Sequence, residues 1–108
     1  MMSAQSKDWI LHSVIFSLKH ERGSEAERQF LADGKRILTS IPTVTNFQVY
    51  KQVSAKNEFH HGFSMEFANQ ADYDVYNEHP LHVQFVNERW VMEVENFLEI
   101  DYAKQNND

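Results

Sequence analysis

No cysteine occurs in the 108 residues, so disulfides, thiolate nucleophiles and cysteine zinc sites are excluded. A chain without cysteine suits a reducing compartment, and the expected location is the cytoplasm. Glycine is scarce, at 3 residues, and supplies no glycine-rich phosphate loop. Basic residues are outnumbered, 10 Lys and Arg against 16 Asp and Glu, and the resulting net charge of −6 surrounds the fold with a negative field. Such a field repels phosphate backbones and anionic bilayers, which argues against nucleic acid and membrane surfaces as partners. No apolar run approaches the ~20 residues of a membrane span, and Met1 to Asp8 lacks the apolar stretch of a signal peptide. Neither an HExxH pattern nor a Ser-His-acid spacing is present to suggest a zinc protease or a serine hydrolase.

What remains is globular. Hydrophobic residues make up 42% of the chain, enough to build a core rather than a disordered segment. Its length allows one domain, read over residues 9–103 with flexible termini at 1–8 and 104–108. This is near the size at which pairing with a second copy adds useful burial.

The apolar periodicity alternates between strand and helix patterns. Residues 9–18 are rich in β-branched and aromatic types. Ile10, His12, Val14, Phe16 and Leu18 share one face, and Trp9, Leu11 and Ile15 share the other, as in a central strand covered on both sides. Ser24 followed by Glu27 forms a capping box. It opens a helix with Ala26, Phe30, Gly34, Ile37, Leu38 and Ile41 at helical spacing, and Pro42 ends it at or before Ile41. A second strand over 44–53 groups Thr45, Phe47, Val49, Lys51 and Val53 on one face. A third over 59–68 groups His61, Phe63, Met65 and Phe67, and the short polar link between them predicts an antiparallel hairpin. Asn69, with Asp72 three positions on, caps a short helix to about Asn77. Pro80 suits the first position of another, with His79 near its cap and Val83, Val86 and Trp90 as its apolar stripe. A last strand alternates Val94, Asn96, Leu98, Ile100 and Tyr102 against Glu95, Phe97, Glu99 and Asp101.

The order strand, helix, strand, strand, helix, strand predicts an α+β, ferredoxin-like βαββαβ fold, with helices covering one face of a four-stranded antiparallel sheet. The opposite face keeps Trp9, Leu11, Ile15 and Tyr50, too much large apolar surface to leave in water, and a homodimer packed through that face is expected.

Four polar groups converge in this scheme. His12 and His61 lie on the helix-facing sides of their strands, and Tyr76 and His82 arrive from the helical side. Singly, each imidazole reads as a hydrogen-bonded core or rim residue; together they outline a pocket. His82 falls in the first turn of its helix, where the dipole disfavours imidazolium, so it presents the neutral imidazole that a general base requires. Tyr76 is placed to donate its phenol proton to a carbonyl or enolate oxygen. The pair suits cofactor-free proton abstraction beside a carbonyl, as in a cyclisation or isomerisation. A metal site is the chemical competitor, through His79 and His82 with His60 and His61. It is disfavoured because adjacent strand residues point to opposite faces. Asp101 and Tyr102 read as edge or dimer packing.

His12-Ser13-Val14-Ile15-Phe16, the stretch Tyr76-Asn77-Glu78-His79-Pro80-Leu81-His82-Val83-Gln84-Phe85, and Asp101-Tyr102 together make the chain resemble the stress-responsive α/β-barrel (Dabb) family over about Ile10 to Tyr102. The resemblance implies a dimeric α+β barrel. One family member is a plant polyketide cyclase that makes olivetolic acid. By resemblance to it, His82 is the catalytic base, Tyr76 its catalytic partner, and His12 and His61 are substrate-binding residues, with no cofactor. Most of the family has no assigned activity. The resemblance therefore implies, first, a stress-associated protein whose pocket takes a small, largely apolar carbonyl or phenolic compound. Second comes a cofactor-free cyclase or isomerase, and third a monooxygenase of similar architecture.

Overall fold

The computed structural model describes residues 8–105. The expectation of flexible termini falls outside the described residues except at Asp8, Lys104 and Gln105. Of these, Lys104 holds its ammonium 5.1 Å from the centre of the Trp9 ring.

Strand β1 (Ile10–Leu18) is followed by helix α1 (Glu25–Leu38), strands β2 (Thr45–Lys51) and β3 (His61–Phe67), and helices α2 (Gln70–Glu78) and α3 (Pro80–Phe85). A π-helical turn at Val86–Trp90 and a short helix α4 (Val91–Glu93) lead into strand β4 (Val94–Ala103). The sheet has the order β2-β3-β1-β4 with every neighbour antiparallel. The βαββαβ order is therefore as the periodicity indicates.

Each boundary has a local cause. Ser24 caps α1 by accepting from the Glu27 amide at 3.2 Å. The returning arm of the capping box lands one residue early, with Glu27 Oε1 accepting from Gly23 N–H at 2.9 Å, because Ser24 N–H already donates to the Glu21 carbonyl. Gly23 takes φ +81, a region open to glycine without cost. Asn69 caps α2 by accepting from Asp72 N–H at 2.8 Å. His79 is extended at the junction, as the following proline demands, and its Nδ1 accepts from Leu81 N–H to cap α3.

The core lies between the helices and one face of the sheet. Phe16, Phe30, Phe63, Phe67, Ile41 and Met65 are fully buried there, each contributing roughly 1.5–3 kcal/mol of transfer free energy. Two expectations about helix faces are corrected. Ala26 is exposed and Leu31 takes its place against the core. Val83 is 43% exposed, whereas Phe85 is buried. The π turn widens the helix so that Phe85 and Trp90, five apart, both face inward with ring centres 6.5 Å apart, which a 3.6-residue stripe does not anticipate. Bulges also break two of the strand alternations. In β2, with Asn46 at φ 49, Thr45 pairs with Glu66 while Val49 pairs with Phe63, so these two fall on opposite faces. In β4, Leu18 pairs with Val94 and Phe16 with Phe97, so Val94, Phe97, Glu99 and Asp101 all face the helices.

Candidate functional site

The inward series of β1, β3 and β4 floors a cavity of about 280 Å³, roofed by α1, α2, α3 and the π turn. Its walls are mostly apolar, with Val14, Phe63, Met65, Phe85, Trp90 and Phe97 among them, and its polar groups are His12, Tyr76, Asn77, His82 and Glu99. Gly34 allows this close roof, since a Cβ there would stand 2.9 Å from the Phe63 ring.

Three of the four expected site residues meet in this cavity. The Tyr76 and His82 rings lie 4.3 Å apart and the Tyr76 and His12 rings 5.9 Å apart. The break at His79-Pro80 brings Tyr76 and His82 together, by ending one helix and starting the next at a new angle. His61 is elsewhere. It pairs with Phe16, four residues along β1 from His12, and its Nε2–H donates to Glu27 Oε2 at 3.0 Å. It lines a separate open cleft beside Arg22 and Lys51. The expectation that His61 shares the pocket is therefore corrected; strand parity gives its face but not its distance from the helix break.

Each imidazole in the cavity has a fixed orientation. His82 Nδ1–H donates to the Asn77 carbonyl at 3.1 Å, leaving Nε2 as a free acceptor. Burial lowers the His82 pKa, more than the Asn77 carbonyl raises it, and His12 adds to the lowering, so the ring is neutral at neutral pH. His12 Nδ1 lies 2.6 Å from Asp101 Oδ1 and 3.0 Å from the Tyr73 hydroxyl, which itself donates to Asp101 Oδ2 at 2.8 Å. A carboxylate on Nδ1 fixes the tautomer and leaves Nε2 unpaired. Asp101 is thus a member of the site and not edge packing. Its alternation with Phe97 and Glu99 carries that signal, but the β4 bulge detaches Val94 from the parity that would have revealed it. Tyr73, one helical turn before Tyr76 on α2, shares its face of the helix, but its bond to Asp101 spans 28 residues and leaves no local signal.

Tyr76 is only 3% exposed, and among the described residues its hydroxyl has no hydrogen-bond partner. Burial raises its pKa above the ordinary tyrosine value, with Tyr73 and the Glu99 and Asp101 carboxylates adding to the rise. It remains a protonated donor. The cavity therefore offers one unpartnered O–H donor between two imidazole acceptors inside an apolar shell. No group of three or more His, Asp or Glu among the described residues is disposed to hold a metal ion.

A β2-β3-β1-β4 antiparallel sheet, roofed by helices on one face and enclosing a His-Tyr-His cavity, defines a ferredoxin-like α+β protein with a small-molecule-sized site. Its sequence places it more narrowly: residues 10–104 match the model of the stress responsive A/B barrel domain, and the chain belongs to this Dabb family. Among solved structures it is similar to a Dabb family protein with a ferredoxin-like fold from Mesorhizobium loti. The two share 54% identity at a TM-score of 0.90, over 91% of this chain and 98% of that one. The fold is also similar to that of the hydroxynitrile lyase of Passiflora edulis, with 16% identity, a TM-score of 0.81, and 95% and 99% of the two chains covered. A dimeric protein of unknown function from Bacteroides fragilis shares 20% identity at a TM-score of 0.68, over 90% and 97%. A comparison with curated proteins finds no match. No helix among the described residues is long and apolar enough to cross a membrane.

Proposed function

We propose that this protein works through its cavity, as a homodimer that binds a small, largely apolar carbonyl or phenolic compound in each subunit. The observation that carries this reading is the Tyr76 hydroxyl, which lines the cavity and has no hydrogen-bond partner among the described residues. A phenol that opens on an apolar cavity with no partner of its own is available to donate to a ligand oxygen there. The cavity volume of about 280 Å³ is near the low end of the roughly 300–1,000 Å³ of small-molecule sites, which suits one aromatic ring with a short substituent. The dimer reading rests on the outer face of the sheet, where Leu98, Tyr102 and Tyr50 are 49%, 51% and 52% exposed and would be covered by a second copy. The domain spans 9–103, and a cysteine-free chain suits the cytoplasm.

A second reading, of catalysis, is favoured by the two free Nε2 atoms of His12 and His82 flanking the phenol. With a carbonyl oxygen on Tyr76, either imidazole would serve as the base that removes a proton from the adjacent carbon while the phenol stabilises the enolate. That is a cofactor-free isomerase or cyclase step with His82 as base, Tyr76 as acid and His12 held by Asp101.

Trp90 lines the cavity, so binding of acetophenone is readable by tryptophan fluorescence and by calorimetry. Tyr76→Phe should weaken it by roughly five- to tenfold, the worth of one net hydrogen bond of about 1 kcal/mol. Unchanged affinity would sink the proposed site. Enolisation of the ketone, followed by exchange of its methyl protons in deuterated water, separates the readings: exchange abolished by His82→Ala supports catalysis, and binding without exchange supports a passive pocket.

A further inference from the structure

We infer that the cavity takes an acidic phenol or enol in its ionised form, with the ligand's proton carried on His12 and Asp101 as the positioning residue that holds His12 for it. This rests on the reading of the cavity as a small-molecule site. It narrows the ligand from carbonyl and phenolic compounds at large to those that ionise near neutral pH.

The two imidazoles of the cavity are held differently. His82 gives its Nδ1–H to the Asn77 carbonyl at 3.1 Å, and burial disfavours a charge on its ring. His12 gives its Nδ1–H to the Asp101 carboxylate at 2.6 Å, and Tyr73 orients that carboxylate in turn by donating to its other oxygen at 2.8 Å. A proton added at His12 Nε2 is therefore answered across the ring by a full negative charge, where His82 has only a dipole. The side chain of His12 is 6% exposed and that of Asp101 41%, so the carboxylate stays in contact with water while the ring it orients lines the cavity.

His12 Nε2 has no partner among the described residues, in which Thr43 Oγ1 is the one fully enclosed side-chain polar atom left unbonded. Nε2 thus opens on the cavity, and the Tyr76 ring lies 5.9 Å from the His12 ring. A ligand hydroxyl between them would accept from the Tyr76 O–H and pass its own proton to Nε2. The ligand O–H bond breaks, an N–H bond forms, and the electron pair stays on the ligand oxygen. That oxygen then accepts from two donors, the Tyr76 hydroxyl and the new Nε2–H, within a mostly apolar wall where such bonds are strong. The proton moves within the site, so the total charge is unchanged. Tyr76, His82 and Glu99 are the other titratable groups of the lining. Glu99 favours a proton on the imidazoles and disfavours charge on the ligand, but it is exposed and screened by water, and hydrogen bonds at contact distance decide the outcome. His82 Nε2 is left free for the proton on carbon in the catalytic reading.

4-Nitrophenol is one ring with a short substituent, and its neutral and ionised forms absorb at different wavelengths. At a pH where the free compound is mostly neutral, the wild-type protein should show the ionised band for bound ligand. Asp101→Asn, a substitution of equal size at a partly exposed position, should cut the ratio of ionised to neutral bound ligand by about tenfold, the worth of one charge-assisted hydrogen bond. Tyr73→Phe should move the ratio in the same direction by less, and it carries the same test if Asp101→Asn does not fold. A bound ligand that stays neutral, or a ratio that falls with His82→Gln and not with Asp101→Asn, overturns the assignment of the proton to His12 and leaves the small-molecule reading standing. Failure of 4-nitrophenol to bind where acetophenone binds overturns this inference alone, and failure of both to bind overturns the small-molecule reading with it.

Discussion

The chemistry of this chain is set by where single protons sit. His82 and His61 are both neutral imidazoles held below their ordinary value of 6.5, in each case chiefly by burial. They differ in partners. His61 spends its Nε2–H on Glu27, while His82 spends its Nδ1–H on a backbone carbonyl and keeps Nε2 for the cavity. A depressed histidine pKa stabilises the fold fully above 6.5 and loses that contribution as pH falls through the folded value, because the unfolded chain takes up the proton first. Proton-detected titration of the ring resonances should therefore place both midpoints below 6.5, with stability to urea declining over the same window. Midpoints at or above 6.5 would contradict the burial of the neutral rings. At this scale the sequence was a good guide to residue types and faces: His12, Tyr76 and His82 were legible from strand parity and the His79-Pro80 break. Asp101 and Tyr73 were not, because their value comes from one 2.6 Å contact and one 2.8 Å contact formed 89 and 28 residues apart.

The elements are positioned by a few enabling residues. Gly34 lets α1 settle on Phe63, the ring it would strike with a Cβ at 2.9 Å. Phe63 is itself hemmed in by Phe16, Phe47 and Trp90, so it has little room to give. Gly34→Ala gains up to about 1 kcal/mol of helix propensity but meets an overpacking cost of typically 1–3 kcal/mol. The net expectation is a loss of roughly 1 kcal/mol, read as a Tm lower by several degrees, with weaker ligand binding because Phe63 also lines the cavity. A rise in Tm would show that the ring can move aside. The π turn is held by Arg89, whose guanidinium donates to Asp33 at 2.7 Å and to Glu93 at 2.5 Å and lies over the Phe30 ring. Capping and proline rules located the starts of α1, α2 and α3, since those depend on neighbours in sequence. The π turn and the two strand bulges escaped because a period of 3.6 or 2 cannot register one inserted residue that tertiary packing selects.

At the scale of the whole molecule, the fold buries one face of the sheet under helices and leaves the other with large apolar groups. Leu11 and Ile15 on β1 and Leu98, Ile100 and Tyr102 on β4 lie together there by register. Sedimentation at low micromolar concentration should give twice the chain mass of 12.8 kDa, and Leu98→Glu should shift the distribution towards monomer by placing a charge in the covered face. A wild-type monomer under those conditions would contradict the dimer. The βαββαβ order and this second apolar face were both readable from alternation alone, because they repeat over whole strands. The central claim is that the Tyr76 hydroxyl, without a partner among the described residues, donates to a ligand oxygen. The carbonyl stretch of acetophenone bound to the protein, measured by infrared difference spectroscopy, tests this most directly. A hydrogen bond from Tyr76 should lower the stretch in the wild type relative to Tyr76→Phe, and the same frequency in both proteins would contradict the claim.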